Sequence, residues 1–184
     1  MLKSLTLFDI DKKIRSEIFP PDYSPIPTIK NVFFVELKNH IEEDGDFSEL
    51  IRVGKNGELE KVPKFKLAQL NRTKLNPGTV KAWHLHLKQD VLWYLNPVDY
   101  LFVGLWDIRK SSPTIGLRMR VVLGEGKSQL LFIPRGVAHG SANFTTRPVH
   151  LYYFSNRKFD MINPDEKRIR WDISGADFWT PVRE

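Results

Sequence analysis

A long series of short strand-like runs, separated by turn residues, constrains the fold of this chain more than any other feature. The runs are rich in β-branched and aromatic residues, as strands are, and turn residues interrupt them at 96–97, 111–113, 124–126 and 134–136. Many short strands with regular turn signals are typical of an all-β sandwich or barrel. We predict strands over residues 32–37, 64–70, 80–87, 100–106, 117–123, 129–133 and 149–154.

Helix is predicted to be a minor component, over residues 9–19 and near 39–44. The proline-rich stretch 20–27 is a turn-rich crossing, because proline fixes the backbone and removes a donor. A chain of 184 residues suits one domain with a full core. We therefore expect a single domain over residues 1–184, with its core over about 30–181 and a closing segment after Trp171 that lies on the barrel.

Composition excludes several classes of protein. The chain has no cysteine, which rules out thiolate catalysis and fits a reducing compartment. The N-terminal residues have neither the sustained apolar stretch nor the small-residue cleavage site of a signal peptide, and no run approaches the roughly 18 apolar residues that span a bilayer. A net charge of +6 is compatible with binding of nucleic acid or of a small anion such as a diphosphate. The charges are scattered and no nucleic-acid module accompanies them, so we expect most to be solvated surface charges. We expect a cytoplasmic protein that binds neither nucleic acid nor membrane.

Two of the five histidines, His84 and His86, lie two residues apart on the predicted strand 80–87. Side chains alternate along a strand, so both imidazoles share one face with Val80 and Ala82, and these apolar neighbours favour the barrel interior. The opposite face then carries Lys81, Trp83, Leu85 and Leu87. Two interior imidazoles and a third from another strand would form a polar pocket, where catalysis is usually sited. We expect His40 and His150 to be surface or structural residues.

Six segments, in order along the chain, resemble motifs of one enzyme family, the dTDP-4-dehydrorhamnose 3,5-epimerases. The resemblance covers roughly residues 44–181 and implies a cupin-type jelly-roll barrel with minor helices. It also implies a homodimer formed by strand exchange. The segments are Phe47-Ser-Glu49, Gln69-Leu-Asn71, Gly78 to His84, Asp107-Ile-Arg109 with Ser112 to Gly116, Ile133 to Gly140, and Leu151-Tyr152 with Asn163 to Glu166 and Ile169 to Asp172.

The resemblance implies an isomerase that removes and returns protons at C3 and C5 of a dTDP-4-keto-6-deoxyhexose, without a cofactor. The 4-keto group acidifies both hydrogens, a base removes one, and an acid returns a proton to the opposite face. His84 matches the family's base, and an unperturbed imidazole pKa of about 6.5 suits that task. Tyr152 matches the family's acid.

Further residues match positions that bind the nucleotide sugar or shape its pocket. Lys81 stands where the family has an arginine near the phosphates, and His86 where it has a glutamine. Arg157 stands where a second aromatic residue would stack on the base. The full set of expected substrate-binding residues is Lys81, His86, Phe47, Glu49, Gln69, Asn71, His139 and Arg157.

Other positions depart from the family pattern. Leu92 stands where the family has a lysine near the sugar, and Asp44 falls near an expected arginine. The family supplies the carboxylate partner of its histidine from beyond the equivalent of residues 179–181, and this chain ends at Glu184. Asp90 and Glu49 are the two candidates to replace that carboxylate. The departures fit an altered member: a 3-epimerase, a 3,4-ketoisomerase, or an epimerase for another nucleotide sugar.

Two alternative functions stay open from the residues. The spacing of His84, His86, Asp90 and His139 also resembles the two metal motifs of the wider cupin superfamily. Imidazoles and a carboxylate are suitable ligands for Fe, Mn, Ni or Zn, so a metal-dependent oxygenase, decarboxylase or sugar isomerase is one alternative. A sugar-nucleotide binder without catalysis is the other.

Overall fold

The computed structural model describes residues 4–21 and 23–181, and their regular secondary structure is almost entirely β-strand. Within them the helices are three short 3-10 turns, at Leu7–Asp9, Arg15–Glu17 and Ala176–Trp179. No helix in the described ranges has the length and apolar character needed to cross a membrane. The strands are β1 (Phe33–Glu36), β2 (Asn39–Glu42), β3 (Gly45–Ser48), β4 (Glu58–Leu59), β5 (Val62–Lys66), β6 (Gln69–Leu75), β7 (Val80–His86), β8 (Val91–Tyr94), β9 (Tyr100–Asp107), β10 (Arg118–Gly124), β11 (Gln129–Ile133), β12 (Val137–Ala142), β13 (Val149–Ser155) and β14 (Glu166–Arg168).

Two antiparallel five-stranded sheets form the body of the molecule. The first sheet has the order β1-β11-β8-β13-β6, and the second has the order β10-β9-β12-β7-β14. Two separate hairpins, β2–β3 and β4–β5, complete the strands. This arrangement confirms the all-β, cupin-like jelly-roll fold.

Apolar residues fill the space between the sheets and cover parts of both outer faces. Leu101, Leu105 and Leu131 are completely buried in the largest cluster, which holds residues of both sheets. The β4–β5 hairpin covers the outer face of the first sheet with Phe65 and its neighbours. The C-terminal 3-10 turn covers the second sheet, where Trp179 packs on Trp83 with a centroid distance of 4.7 Å. The closing segment expected after Trp171 is thus confirmed.

Most predicted strands are confirmed, and the errors have physical causes. The predicted helix near 39–44 is wrong, because residues 39–42 pair with β3 as a strand. The predicted helix over 9–19 is reduced to a 3-10 turn at Arg15–Glu17. The run 64–70 is divided between β5 and β6. Strand β8 shows no alternation because it is buried on both faces, so its sequence lacks the period-2 signal.

Strand β7 carries one extra residue, and this changes which side chains face inward. Opposite β12, His84 pairs with His139 and Lys81 pairs with Ser141, so three steps on β7 match two steps on β12. Such a bulge shifts the alternation of side chains by one residue. The expected sharing of one face by Ala82 and His84 is therefore wrong, and Lys81 joins His84 on the inner side while Ala82 packs outward.

Candidate active site

A cavity of about 890 Å³ lies between the two sheets. Strands β6, β8 and β13 of the first sheet contribute one wall, and β7, β12 and β14 of the second contribute the other. The segment 156–165 completes the lining. This volume is in the range of cavities that bury a small organic ligand.

Three histidines converge on this cavity. The His139 ring lies 6.0 Å from that of His84 and 5.5 Å from that of His86, measured between centroids. The His139 Nδ1–H donates to the Val137 carbonyl at 3.0 Å, because a carbonyl can only accept. Burial, and secondarily the neighbouring His86, lowers the pKa of His139 to about 3. His139 is therefore a neutral, fixed imidazole near neutral pH.

His84 contacts two charged side chains of β14. Its Nδ1 lies 3.2 Å from Glu166 Oε1, and its Nε2 lies 2.7 Å from Arg168 Nη1. Burial and the positive charge of Arg168 lower the pKa of His84 to about 4, against the opposing effect of Glu166. The ring is therefore uncharged at neutral pH, which is the form that can accept a proton.

His86 has a looser environment. Gln89 Nε2 lies 3.2 Å from its Nε2, and Asp165 Oδ2 lies 3.9 Å from its Nδ1. Burial lowers the pKa of His86 as well. Asp165 itself accepts hydrogen bonds from the backbone N–H groups of residues 87–89, so it ties the turn after β7 to the segment that carries β14.

The expected acid, Tyr152, does not reach the cavity, whereas its neighbour Tyr153 lines it. Tyr152 pairs with Tyr94 in the sheet and is 37% exposed on the outer face. Because side chains alternate along β13, moving one residue on brings Tyr153 inward. Burial raises the pKa of Tyr153, so its hydroxyl keeps its proton near neutral pH. The placement of Tyr152 is thus a one-residue error of phase.

Four other expected residues line the cavity. Gln69 Nε2 donates to Asn71 Oδ1 at 2.8 Å on β6. Lys81 Nζ donates to Thr73 Oγ1 at 2.9 Å, and Arg157 Nε donates to the Lys88 carbonyl at 3.0 Å. With Lys88, Lys158 and Arg168 these cations give the cavity wall a basic character, which fits an anionic ligand.

Phe47 and Glu49 lie outside this cavity. Phe47 is on the β2–β3 hairpin and is 65% exposed. Glu49 follows that hairpin and accepts a hydrogen bond from Arg52 Nη2 at 2.6 Å. Neither side chain contributes to the lining within one copy of the chain.

The alternative metal set does not assemble, because Asp90 is held elsewhere. Its carboxylate accepts hydrogen bonds from Asn156 Nδ2 and from the Arg135 backbone N–H, both at 2.9 Å. Within residues 4–21 and 23–181, no three histidine, aspartate or glutamate side chains are arranged to hold a metal ion. The proposed ligation by His84, His86, Asp90 and His139 therefore lacks its carboxylate.

The carboxylate nearest to His84 is Glu166, which sequence reasoning missed. Neither Asp90 nor Glu49 takes that place, because both are paired away from His84. Glu166 and Arg168 belong to β14, which pairs with β7 across 82 residues of sequence, Glu166 opposite His86 and Arg168 opposite His84. The available signal was the Asn163 to Glu166 motif, which matches the family but was assigned no role.

Comparison with known proteins gives consistent matches. The family model described as dTDP-4-dehydrorhamnose 3,5-epimerase matches residues 27–178. The spore coat polysaccharide biosynthesis protein SpsL of Bacillus subtilis is 38% identical over 150 residues, which are 82% of this chain and 95% of that protein. The probable low-salt glycan biosynthesis epimerase Agl13 of Haloferax volcanii is 30% identical over 147 residues, 80% of this chain and 91% of that protein.

The fold has close counterparts among solved structures. One is the dTDP-6-deoxy-D-glucose-3,5-epimerase RmlC of Legionella pneumophila, in complex with dTDP-4-keto-L-rhamnose. Its TM-score is 0.67 and its identity 23%, covering 79% of this chain and 76% of that one. At this identity the likeness supports the fold.

Proposed function

This chain belongs to the dTDP-4-dehydrorhamnose 3,5-epimerase family, and we propose that it epimerises a dTDP-4-keto-6-deoxyhexose at C3, C5 or both. One observation carries this proposal: an uncharged imidazole and a protonated phenol line the same cavity from opposite sheets. His84 comes from β7 of the second sheet and Tyr153 from β13 of the first. Inversion requires this arrangement, because the proton leaves one face of the sugar and returns on the other.

In the proposed reaction His84 Nε2 takes the proton from the carbon beside the ketone. The electrons of the broken C–H bond form an enolate, and the ring becomes an imidazolium beside Glu166. Tyr153 then gives its hydroxyl proton to the opposite face of the carbon, and the carbonyl is restored. Solvent reprotonates the phenolate and takes the proton of His84, so the enzyme returns to its starting state without a cofactor.

The basic wall of the cavity supports a nucleotide diphosphate as the carrier of the sugar. Lys81 keeps the positive charge that the family has near its phosphates, and Arg157 adds a positive charge where the family has an aromatic residue. Lys88 and Lys158 add two cations that pair with no carboxylate of the described residues. We assign Gln69, Asn71, His86 and His139 to the shape and polarity of the sugar site.

We propose that the protein acts in the cytoplasm as a homodimer, with Phe47 and Glu49 reaching the site of a neighbouring copy. Support comes from the β2–β3 hairpin, where Ile41 is 82% and Phe47 65% exposed. Covering these side chains with a second copy would remove apolar surface from water, which favours association. Light scattering should give a dimer mass, and Ile41→Asp should weaken the dimer. A monomeric wild-type protein would contradict the assembly.

Proton exchange tests the reaction. The protein is incubated with dTDP-4-keto-6-deoxyglucose in deuterated water, and C3 and C5 are followed by NMR. Deuterium at both carbons with inversion establishes a 3,5-epimerase, and deuterium at C3 alone establishes a 3-epimerase or ketoisomerase. Folded protein that gives no exchange with this or any other nucleotide 4-keto sugar would refute the proposal.

A matched pair of variants tests the acid. Tyr153→Phe should stop inversion while some exchange at the His84 face survives, because the base remains. Tyr152→Phe, on the outer face one residue away, should keep wild-type inversion. The reverse outcome, with loss only in Tyr152→Phe, would return the role of acid to Tyr152.

A further inference from the structure

Strand β14 presents two opposite charges to one histidine. Glu166 and Arg168 are two residues apart, so both point to the same side of the strand and line the cavity. Lys167, between them, is exposed and does not line the cavity; its Nζ donates to the Pro164 carbonyl. The three-residue strand β14 thus places a carboxylate and a guanidinium beside His84. Lys167, between them, is a matched position for a control variant.

The two contacts of His84 specify one tautomer. A guanidinium has donors and no acceptor, so Arg168 Nη1 must donate to His84 Nε2 across their 2.7 Å separation. The neutral ring then carries its proton on Nδ1, the nitrogen that lies 3.2 Å from Glu166 Oε1. Cation and anion therefore favour the same state, in which Nε2 holds the basic lone pair.

Two buried polar atoms on the cavity wall that holds His84 have no hydrogen-bond partner among the described residues. Glu166 Oε1 is buried, yet it has no partner in hydrogen-bonding geometry, although His84 Nδ1 and Arg168 Nη2 both contact it. His86 Nδ1, on the same wall, is also buried without a partner. Buried polar atoms are nearly always hydrogen-bonded, and both of these atoms belong to residues that line the cavity, where water or a bound ligand can contact them.

The same geometry prevents His84 from acting in the free protein. A general base needs an open lone pair, and Arg168 occupies that of Nε2. The Arg168 side chain is 60% exposed, so it can leave His84 at little cost in packing, whereas Glu166 is 31% exposed and stays with the strand. An anionic oxygen in the cavity offers a guanidinium a stronger partner than a neutral imidazole does.

We propose that Glu166 is a positioning residue that holds His84 as the Nδ1–H tautomer, and that Arg168 covers Nε2 until a substrate oxygen that carries negative charge draws it away. The oxygen belongs either to the diphosphate or to the polarised C4 carbonyl, because the enolate forms only after Nε2 is free and has taken the proton. This inference rests on the proposed function for its catalytic part. The tautomer and the release of Arg168 are properties of the protein alone and can be measured without turnover.

The first test is spectroscopic and needs no reaction. Nitrogen-15 NMR of the histidine rings should show His84 with its proton on Nδ1 in the wild type and in Lys167→Gln. Arg168→Gln should keep the Nδ1 proton, because Glu166 remains, and Arg168→Gln combined with Glu166→Leu should lose it. The opposite tautomer in the wild type, or an unchanged tautomer in the double variant, would overturn the role of Glu166.

The second test identifies what moves Arg168. Adding dTDP alone supplies the diphosphate without a ketone, and adding the keto sugar nucleotide supplies both. A change of the His84 Nε2 resonance with dTDP places the anionic oxygen on the diphosphate. A change only with the keto sugar places it on C4. No change with either ligand, at saturation, would overturn the covering role of Arg168.

The third test uses proton exchange kinetics. Glu166→Gln should lower kcat with little change in KM, by about 10–100-fold if the effect matches that of the groups that orient a metal-bound histidine. Glu166→Asp should recover part of the loss, and Lys167→Gln should match the wild type. Equal changes in Glu166→Gln and Lys167→Gln would assign β14 a structural role alone. Absence of exchange in the wild type would instead refute the proposed function and leave the spectroscopic test intact.

Discussion

The molecule contains two pairs in which an acid precedes an arginine by two residues, and they behave differently. Asp107–Arg109 stands at the end of β9, and Glu166–Arg168 forms the ends of β14. Asp107 is completely buried and accepts five hydrogen bonds, from the backbone and side chain of Arg109 and from Ser112 and Thr114. Glu166 keeps a buried oxygen without a bond of good geometry.

The difference shows how one local pattern serves either stability or function. Burial alone would raise the pKa of Asp107, but the hydrogen bonds from Arg109, Ser112 and Thr114 outweigh it and lower that pKa well below the ordinary value. A closed network of this kind holds its charge in one geometry. The open pair on β14 lies on a cavity and beside a histidine, so a ligand can still change its contacts.

The largest effect on activity is expected from replacing His84, which contacts both members of the Glu166–Arg168 pair. His84→Asn should lower the rate of proton exchange by about 10²–10⁴-fold, the range that a general base contributes. The melting temperature should change little, because β7 keeps its pairing and the packing of Trp83 on Trp179. The exchange assay and a thermal melt of the same sample check both parts. Wild-type exchange in His84→Asn would exclude His84 as the base.

Breaking the Asp107–Arg109 pair should lower the free energy of unfolding and leave activity unchanged. Asp107→Asn leaves Arg109 without its buried counter-ion, and breaking a buried pair on one side costs about 3–5 kcal/mol. Urea unfolding should show this loss at neutral pH. The fraction that stays folded at low temperature should exchange protons at the wild-type rate. An Asp107→Asn variant with wild-type stability and reduced exchange would instead assign the Asp107–Arg109 pair to function.

The contribution of Asp107 should also depend on pH with a definite sign. Its folded-state pKa is lowered, so its stabilisation is complete above the unfolded pKa of about 3.9 and is lost as the pH falls below that value. The difference in unfolding free energy between the wild type and Asp107→Asn should be equal at pH about 7 and about 5, and smaller at about 3. A difference that grows on acidification would contradict the lowered pKa.

The smallest effect is expected from a third pair, which is solvent-exposed. Arg170 and Asp172 form an ion pair at 2.8 Å with side chains 83% and 33% exposed. Solvent screens such a pair, so Arg170→Gln should leave both the melting temperature and proton exchange unchanged. A clear loss in either measurement would show that segment 170–172 does more than cap the end of β14.

Sequence reasoning succeeded where the signal was local. Strand β11 was predicted at its true bounds, and the convergence of His84, His86 and His139 followed from alternation and motif order. It failed where one residue decides the outcome. The bulge on β7 brings Lys81 inward. At this point β7 and β12 lie so close that a Cβ at Gly140 of β12 would overlap Ala82 of β7. The bulge therefore depends on a glycine of the partner strand, which the sequence of β7 alone does not show.

Long-range pairing explains the remaining misses in the site. Tyr152 matches the family's acid by its motif, whereas the phase of alternation along β13 brings Tyr153 to the cavity. Glu166 and Arg168 contact His84 only because β14 pairs with β7. The sequence of residues 163–170 has no hydrophobic periodicity that predicts this pairing. Phe47 and Glu49 lie outside the cavity of their own chain. The alternation of side chains along a strand does not predict contacts with a second copy of the chain.

The order of the strands has a consequence for biosynthesis. Ribosomal synthesis proceeds from the N-terminus at about 5–20 residues per second, and folding can begin before a chain is finished. Strands β6, β7 and β8 line the cavity first along the chain, β12 and β13 follow, and β14 comes last. Glu166 and Arg168 are therefore synthesised after the three histidines and Tyr153. A chain shortened before β14 should keep these four residues and lack both charged contacts of His84.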